Sequence, residues 1–241
     1  MITFATHYQA LDEKAEPFRP INFSLIHLMF ESVSLFHPNC RKVLLTDRKT
    51  HFEEETFEII RYPIDNYPLR YAETVAQAQF LKSHPENGNL IFLDFDILVQ
   101  ANLESVFENT EDIFLTLRPS PIIPINLGVT FVKRGSFQKA FKFFNQILAK
   151  MLLQNNRLMN WGGSQKAIWG LLQPSIVRMD KDKDSITLDS LNIKFLKGDI
   201  YNYSSETVEE MEKHHPDKKI LHFKGHLKEA MPIYFDKYLK K

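Results

Sequence analysis

Two acidic residues one position apart, Asp94 and Asp96, follow the apolar run Leu90-Ile91-Phe92-Leu93. Such a run reads as a strand covered on both faces, and in open α/β sheets ligands bind beyond the carboxyl ends of strands. In an extended chain, alternation puts Asp94 and Asp96 on one side and Phe95 on the other. Two carboxylates that close raise each other's pKa unless a positive charge stands between them. A divalent cation meets that need, and carboxylate oxygens select Mg²⁺ or Mn²⁺, ions that typically bridge to phosphate groups.

Two reaction classes use an acidic pair so placed. In phosphatases of the haloacid-dehalogenase type the first aspartate is a nucleophile, and Thr or Val stands two positions after the second; Leu98 holds that place here. In the other class the pair holds a metal that neutralises a diphosphate leaving group. The reading without chemistry is a cap on a strand-end turn. A second constellation, His222-Phe223-Lys224-Gly225-His226-Leu227-Lys228, follows Ile220-Leu221 and has the form H-x-x-G-x-x-K. An imidazole can complete a site begun by two carboxylates, glycine lets backbone approach a phosphate, and lysine adds a point charge.

The elements that must position these residues follow from hydrophobic spacing. Strands are expected at Ile2 to Thr6, Arg41 to Asp47, Phe57 to Tyr62, Leu90 to Leu93, Ile113 to Leu117, Leu127 to Val132 and Ile220 to Phe223. Extended pieces are expected between Ile186 and Leu196. Helices are expected at Ile21 to Phe36, Tyr71 to Ser83, Phe137 to Leu153, Ser164 to Leu172 and Glu206 to Lys213, with a terminal helix from Lys228. This succession predicts an α/β domain with a largely parallel sheet.

Among the 241 residues, 30 Lys and Arg balance 30 Asp and Glu, which argues against a general nucleic-acid binder. Only 8 glycines occur, and GxGxxG, GxxxxGK[ST] and GxSxG motifs are absent, against dinucleotide dehydrogenases, P-loop NTPases and serine hydrolases. The lone Cys40 excludes an internal disulfide and fits a reducing, cytoplasmic location. No run approaches the length of a transmembrane segment, although the basic, aromatic tail allows peripheral membrane contact. Trp161 suits either sugar stacking or a loop anchor, Trp169 core packing, Asp180 to Asp184 a solvated loop that lacks the EF-hand glycine, and His214-His215 a surface turn.

With Asp94-Phe95-Asp96, Ile125-Asn126-Leu127-Gly128-Val129, Gly163-Ser164-Gln165 and His222, Gly225 and Lys228 in this order, the chain resembles the family 8 glycosyltransferases. The resemblance implies a GT-A, Rossmann-like mixed and mostly parallel sheet flanked by helices. It also implies one catalytic domain over 1–241, with nucleotide binding in about 1–100 and metal completion and acceptor binding in about 101–241. It makes Asp94, Asp96 and His222 the ligands of Mn²⁺ or Mg²⁺, with Asp94 also near the ribose. Gly225 and Lys228 face the diphosphate, Asn126 the donor sugar or the leaving-group side, Gln165 the sugar face near the anomeric carbon, and Thr6 and Tyr8 the uridine. The implied partners are a UDP-hexose donor and a glycan, lipid-linked or protein acceptor, with retention. The pattern departs from the family at Ser164, where Asp is usual, and at Glu229-Ala230, where Pro-Trp is common. A basic residue expected on the helix before the acidic pair is replaced there by Gln77 and Gln79; Arg70, just ahead of that helix, can substitute. Beside a hexosyltransferase stand two other functions: an acidic-pair phosphatase or nucleotidyltransferase, and a non-catalytic nucleotide-sugar or glycan-binding domain.

Overall fold

The computed structural model describes residues 1–10, 23–52, 56–84, 88–120, 123–153, 162–177 and 183–240. In chain order the strands are β1 (Ile2–His7), β2 (Arg41–Thr46), β3 (Glu58–Arg61), β4 (Asn89–Leu93), β5 (Ile97–Val99), β6 (Ile113–Leu117), β7 (Ile125–Val132), β8 (Ser185–Leu188), β9 (Leu191–Lys197) and β10 (Ile220–His222). The α-helices are α1 (Ser24–Phe36), α2 (Leu69–Ser83), α3 (Phe137–Leu153), α4 (Gly163–Val177), α5 (Gly198–Tyr201), α6 (Val208–Met211) and α7 (Ala230–Tyr234).

Eight strands form one sheet in the order β3-β2-β1-β4-β7-β6-β9-β8. The first four are parallel, β7 is antiparallel to both of its neighbours, β9 runs parallel to β6, and β8 is an antiparallel edge. This is the expected mixed, mostly parallel α/β sheet. Alternation along β4 feeds two cores: Leu90 and Phe92 pack with α2, α3 and α4, while Ile91 and Leu93 pack with α1, β5, β10 and α7. In α3 the buried set Phe137, Ala140, Phe143, Phe144, Ile147, Leu148 and Met151 follows helical spacing, so one stripe faces the sheet and α2. Among the described residues no helix is long and apolar enough to cross a membrane.

Three differences from the sequence expectation bear on the site. Helix α2 begins at Leu69, because Pro68 supplies a preset φ just before it, and Arg70 therefore lies in its first turn and not ahead of it. Helix α4 continues past Leu172 to Val177 through Pro174. The proline cannot donate to the Gly170 carbonyl, and the Lys150 ammonium reaches that oxygen at 3.4 Å. Lastly, the chain does not stay extended through Asp94-Phe95-Asp96: it turns there and continues as β5, a strand the sequence reading missed. Strand β5 pairs antiparallel with β10, placing Ile97 opposite His222.

The remaining singled-out residues divide. Trp169 packs against the core as expected, and burial pushes the Cys40 thiol up, in keeping with an inert role. His215 corrects the surface-turn reading: it is buried between Tyr203 and Tyr234, and its Nε2 lies 2.8 Å from the Glu210 carbonyl. Trp161 and Asp180, Lys181 and Asp182 lie outside the described residues.

Candidate functional site

The turn after β4 and the end of β10 bring three groups together. His222 Nε2 lies 3.1 Å from Asp96 Oδ1 and 3.4 Å from Asp94 Oδ2. Ligand atoms from these three residues all fall within 4.8 Å of one another. Asp96 and His222 are buried and Asp94 is half-buried.

Backbone pairing sets this geometry. The Phe223 N–H donates to the Asp96 carbonyl at 2.8 Å, locking the acidic turn to β10. Strand β7 is irregular against β6: the register shifts between Leu115 and Thr116, whose partners are Thr130 and Asn126. Gly128 lies in the extra segment of β7, and its carbonyl accepts the Asp94 N–H at 2.8 Å. A Cβ at Gly128 would stand 2.4 Å from His222 Cε1 and 2.8 Å from Asp94 Oδ2, so only glycine leaves room for the cluster.

A hydrogen-bond relay fixes the imidazole. His222 Nδ1 lies 2.8 Å from Asn202 Oδ1, Asn202 Nδ2 donates to Thr116 Oγ1 at 2.8 Å, and Thr116 Oγ1 donates to the Asn126 carbonyl at 3.0 Å. In this relay Asn202 presents its acceptor to the ring, so the proton sits on Nδ1 and Nε2 faces the carboxylates. Neither Asn202 nor Thr116 was singled out in the sequence.

The electrostatics separate the two aspartates. Burial, the largest cause, joined by Glu73 and Asp96, pushes Asp94 up to about 6 against Arg70 and His222. Burial also raises Asp96, but His222, Lys228 and Arg70 outweigh it and hold that carboxyl below the usual range. Arg70 donates to Glu73 at 2.9 Å. Burial works against its charge, yet Glu73, Asp94 and Asp96 keep its pKa above the ordinary value. Lys228 stands 3.3 Å from Asp96 Oδ2 and 4.6 Å over the Phe95 ring. Gly225 has φ +57°, a left-handed conformation that a side chain would strain. Burial and then Arg118 bring Lys224 down to about 8, against the pull of Asp94 and Asp96.

The other expected residues sit further out. Asn126 is buried, and its Oδ1 accepts the Gly128 N–H at 2.8 Å. Gln165 is half-buried in the first turn of α4, with no hydrogen bond to the cluster. Thr6 is buried with no partner for its hydroxyl among the described residues. Tyr8 packs its ring 5.7 Å from that of Phe95. A cavity of about 540 Å³ opens next to these strand ends, lined by Gln9, Asp47, Thr50, His51 and Tyr67 among others. Gln9 and Ala10, just after β1, line it, and Thr6 and Tyr8 do not. Beside it burial, then Arg70, pushes His7 down to about 3, and His7 Nε2 has no partner among the described residues.

Comparison with solved structures places this arrangement. A glycosyltransferase involved in glycosylation of the major capsid of PBCV-1 matches over 96% of this chain and 98% of its own, at 16% identity and a TM-score of 0.57. The fold is that of glycosyltransferases. The galactosyltransferase LgtC, solved with donor and acceptor sugar analogues, matches over 92% of this chain and 87% of its own, at 13% identity and a TM-score of 0.57. GlyE of Streptococcus pneumoniae TIGR4 matches over 96% of this chain at 14% identity and a TM-score of 0.57, and the match spans 59% of its length. No family model and no curated protein matches the chain. The likeness thus lies in the path of the chain, which carries the acidic turn, the β7 irregularity and the His222 strand into contact.

Proposed function

We propose that the chain is a metal-dependent glycosyltransferase that moves a hexose from a UDP-linked donor to a glycan, lipid-linked or protein acceptor with retention of configuration. The observation that carries this reading is the Asp94, Asp96 and His222 cluster at a strand end, in a fold shared with glycosyltransferases. The residues fit a divalent ion: two carboxylates and an oriented imidazole converge, and the missing side chain of Gly128 lets Asp94 and His222 pack against its backbone. Asp94, Asp96 and His222 would hold Mn²⁺ or Mg²⁺, whose Lewis acidity would neutralise charge on a departing diphosphate.

The chain's own residues supply the rest. Lys228 meets a diphosphate oxygen, and the left-handed turn at Gly225 lets backbone come close to it. Arg70, pinned by Glu73, balances the carboxylates while the site is being filled. Asn126 and Gln165 orient the sugar. The nucleoside occupies the cavity at the ends of β1 and β2, where Gln9 and Asp47 line it, with Thr6 and Tyr8 on the adjoining stretch of chain. As the bond from the anomeric carbon to the phosphate oxygen breaks, the acceptor oxygen bonds to that carbon from the same face, and its proton passes to the leaving phosphate oxygen.

Calorimetric titration of UDP with and without Mn²⁺ tests the binding half of this reading, and release of UDP from UDP-hexoses tests the chemistry. The expected results are UDP binding that requires Mn²⁺ and slow release of UDP and hexose. Metal-independent UDP binding, or liberation of inorganic phosphate from simple esters, would overturn the reading in favour of a binding domain or a phosphatase.

A further inference from the structure

Strand β7 leaves its ladder at one place. Against β6, Leu115 faces Thr130 and Thr116 faces Asn126, so Leu127, Gly128 and Val129 stand between partners that are adjacent on β6. On its other edge β7 keeps step with β4, Val129 opposite Leu93 and Thr130 opposite Phe92. A bulge of this kind takes backbone groups out of the ladder, and a buried N–H left without a partner is costly. Gly128 is buried, and its N–H donates to Asn126 Oδ1 at 2.8 Å. The Asn126 side chain thus closes a turn onto the amide two residues on, a bond that asparagine and aspartate are both suited to make.

Both arms of the cluster start from that turn. On one side the Gly128 carbonyl accepts the Asp94 N–H at 2.8 Å. On the other, the Asn126 carbonyl accepts from Thr116 Oγ1 at 3.0 Å, and Asn202 carries that hold on to His222 Nδ1. Asn126 is 4% exposed, and its side chain and its carbonyl are each engaged. Removing Oδ1 takes from the Gly128 N–H the partner it has, and the segment then gains by settling toward another acceptor. The space allows little movement without consequence, since a Cβ on Gly128 would stand 2.4 Å from His222 Cε1 and 2.8 Å from Asp94 Oδ2. A shift of Gly128 therefore acts on both side chains together.

We infer that Asn126 is a positioning residue for the metal ligands: its side chain sets the β7 bulge that holds Asp94 and His222 in place for an ion. The inference rests on the metal-dependent reading above, and it adds to the place beside the sugar given there to Asn126. The two roles ask for different atoms. Positioning needs an oxygen that accepts the Gly128 N–H, whereas donation to a sugar oxygen needs the amide Nδ2.

Three variants separate them. Asn126→Asp keeps the oxygen and removes the amide, Asn126→Gln keeps the amide and moves it one methylene from the Gly128 N–H, and Asn126→Ala removes both. Mn²⁺ is titrated into each protein with UDP and no sugar, and free Mn²⁺ is followed by its paramagnetic resonance. Each titration is run below that variant's metal-free unfolding transition. Asn126→Asp is expected to hold Mn²⁺ within about threefold of wild type or tighter, whereas Asn126→Gln and Asn126→Ala are expected to lose roughly tenfold or more, the scale for groups that orient metal ligands. Unchanged Mn²⁺ affinity in Asn126→Ala or Asn126→Gln would overturn the inference and leave Asn126 to the sugar alone. Loss in Asn126→Asp equal to that in Asn126→Ala would overturn it as well. If wild type takes up no Mn²⁺ with UDP, the metal-dependent reading itself falls.

Discussion

Asp96 and Asp112 are both buried carboxylates at strand ends of this molecule, at opposite ends of the main sheet. Asp112 is saturated: it accepts from Ser136 Oγ at 2.7 Å, from the Asn192 N–H at 2.8 Å, and from Lys139 Nζ at 2.9 and 3.0 Å. Burial would raise its pKa, but the Asn192 amide, Ser136 and Lys139 outweigh that and hold it low. Asp94 and Asp96 instead share one imidazole, Lys228 reaches only Asp96, and Asp94 is left with a raised pKa. Asp112 ties β6, β9 and the entry to α3 together within the fold; the acidic pair is left open for the ion that the proposed function assigns to it. Coordination, more than burial or residue type, separates a structural carboxylate from one held ready for a ligand.

This contrast can be broken most directly by exchanging the losses. Asp96→Ala is expected to weaken Mn²⁺-dependent UDP binding by about 100-fold or more while leaving the fold intact, whereas Asp112→Ala leaves UDP binding unchanged and costs about 2–3 kcal/mol of stability. Calorimetry and thermal denaturation on the two variants read both effects, and a binding defect in Asp112→Ala would remove the distinction. Next in size, Asn202→Ala frees the His222 ring and is expected to lower Mn²⁺ affinity by about 10-fold, with a smaller loss of stability. A Mn²⁺ titration checks it.

The pH response sharpens the same comparison, because the two regions carry opposite signs. Asp94 is raised from 3.8 to about 6, so as pH rises through that window the unfolded chain ionises first and Asp94 subtracts stability from the metal-free protein. Asp112 is lowered, so its contribution is present above 3.8 and is lost as pH falls through its folded pKa. Mn²⁺ affinity is expected to rise with pH up to about 6, by at most roughly tenfold per unit for one displaced proton, and to level off above it. In Asp94→Asn the expected rise is absent. The smallest effect belongs to Lys139→Ala: its side chain is 44% exposed, and the remaining donors to Asp112 hold the change in stability within about 1 kcal/mol in denaturant titration.

Much of this was legible from short stretches. The run Leu90 to Leu93 had to be a covered strand, and the apolar stripe of α3 fixed its ends at Phe137 and Leu153, because periodicity is a local property. Asp94, Asp96 and His222 were found by type and by their place after apolar runs. What stayed hidden depends on meetings between distant segments. Asn202 and Thr116 are ordinary polar residues in the sequence, and only the pairing of β6 with β9 and the bridge between Tyr203 and Leu221 brings them to His222. Strand β5 was missed because three residues after a turn carry too little pattern. His215 read as part of a turn because Tyr203 and Tyr234, which cover it, come from elsewhere in the chain.

The small sheet of β5 and β10 has a kinetic consequence. Its pairing of Ile97 with His222 closes a loop over most of the second half of the chain, a contact whose closure entropy makes it a late folding event. The β4 turn that carries Asp94 and Asp96 can form early, with its neighbours in the parallel strands, while His222 joins the cluster only when β10 docks. A ribosome-bound or C-terminally clipped chain would thus carry the acidic turn without an assembled cluster. Capture of a metal ion would then mark the moment at which this polypeptide has finished folding.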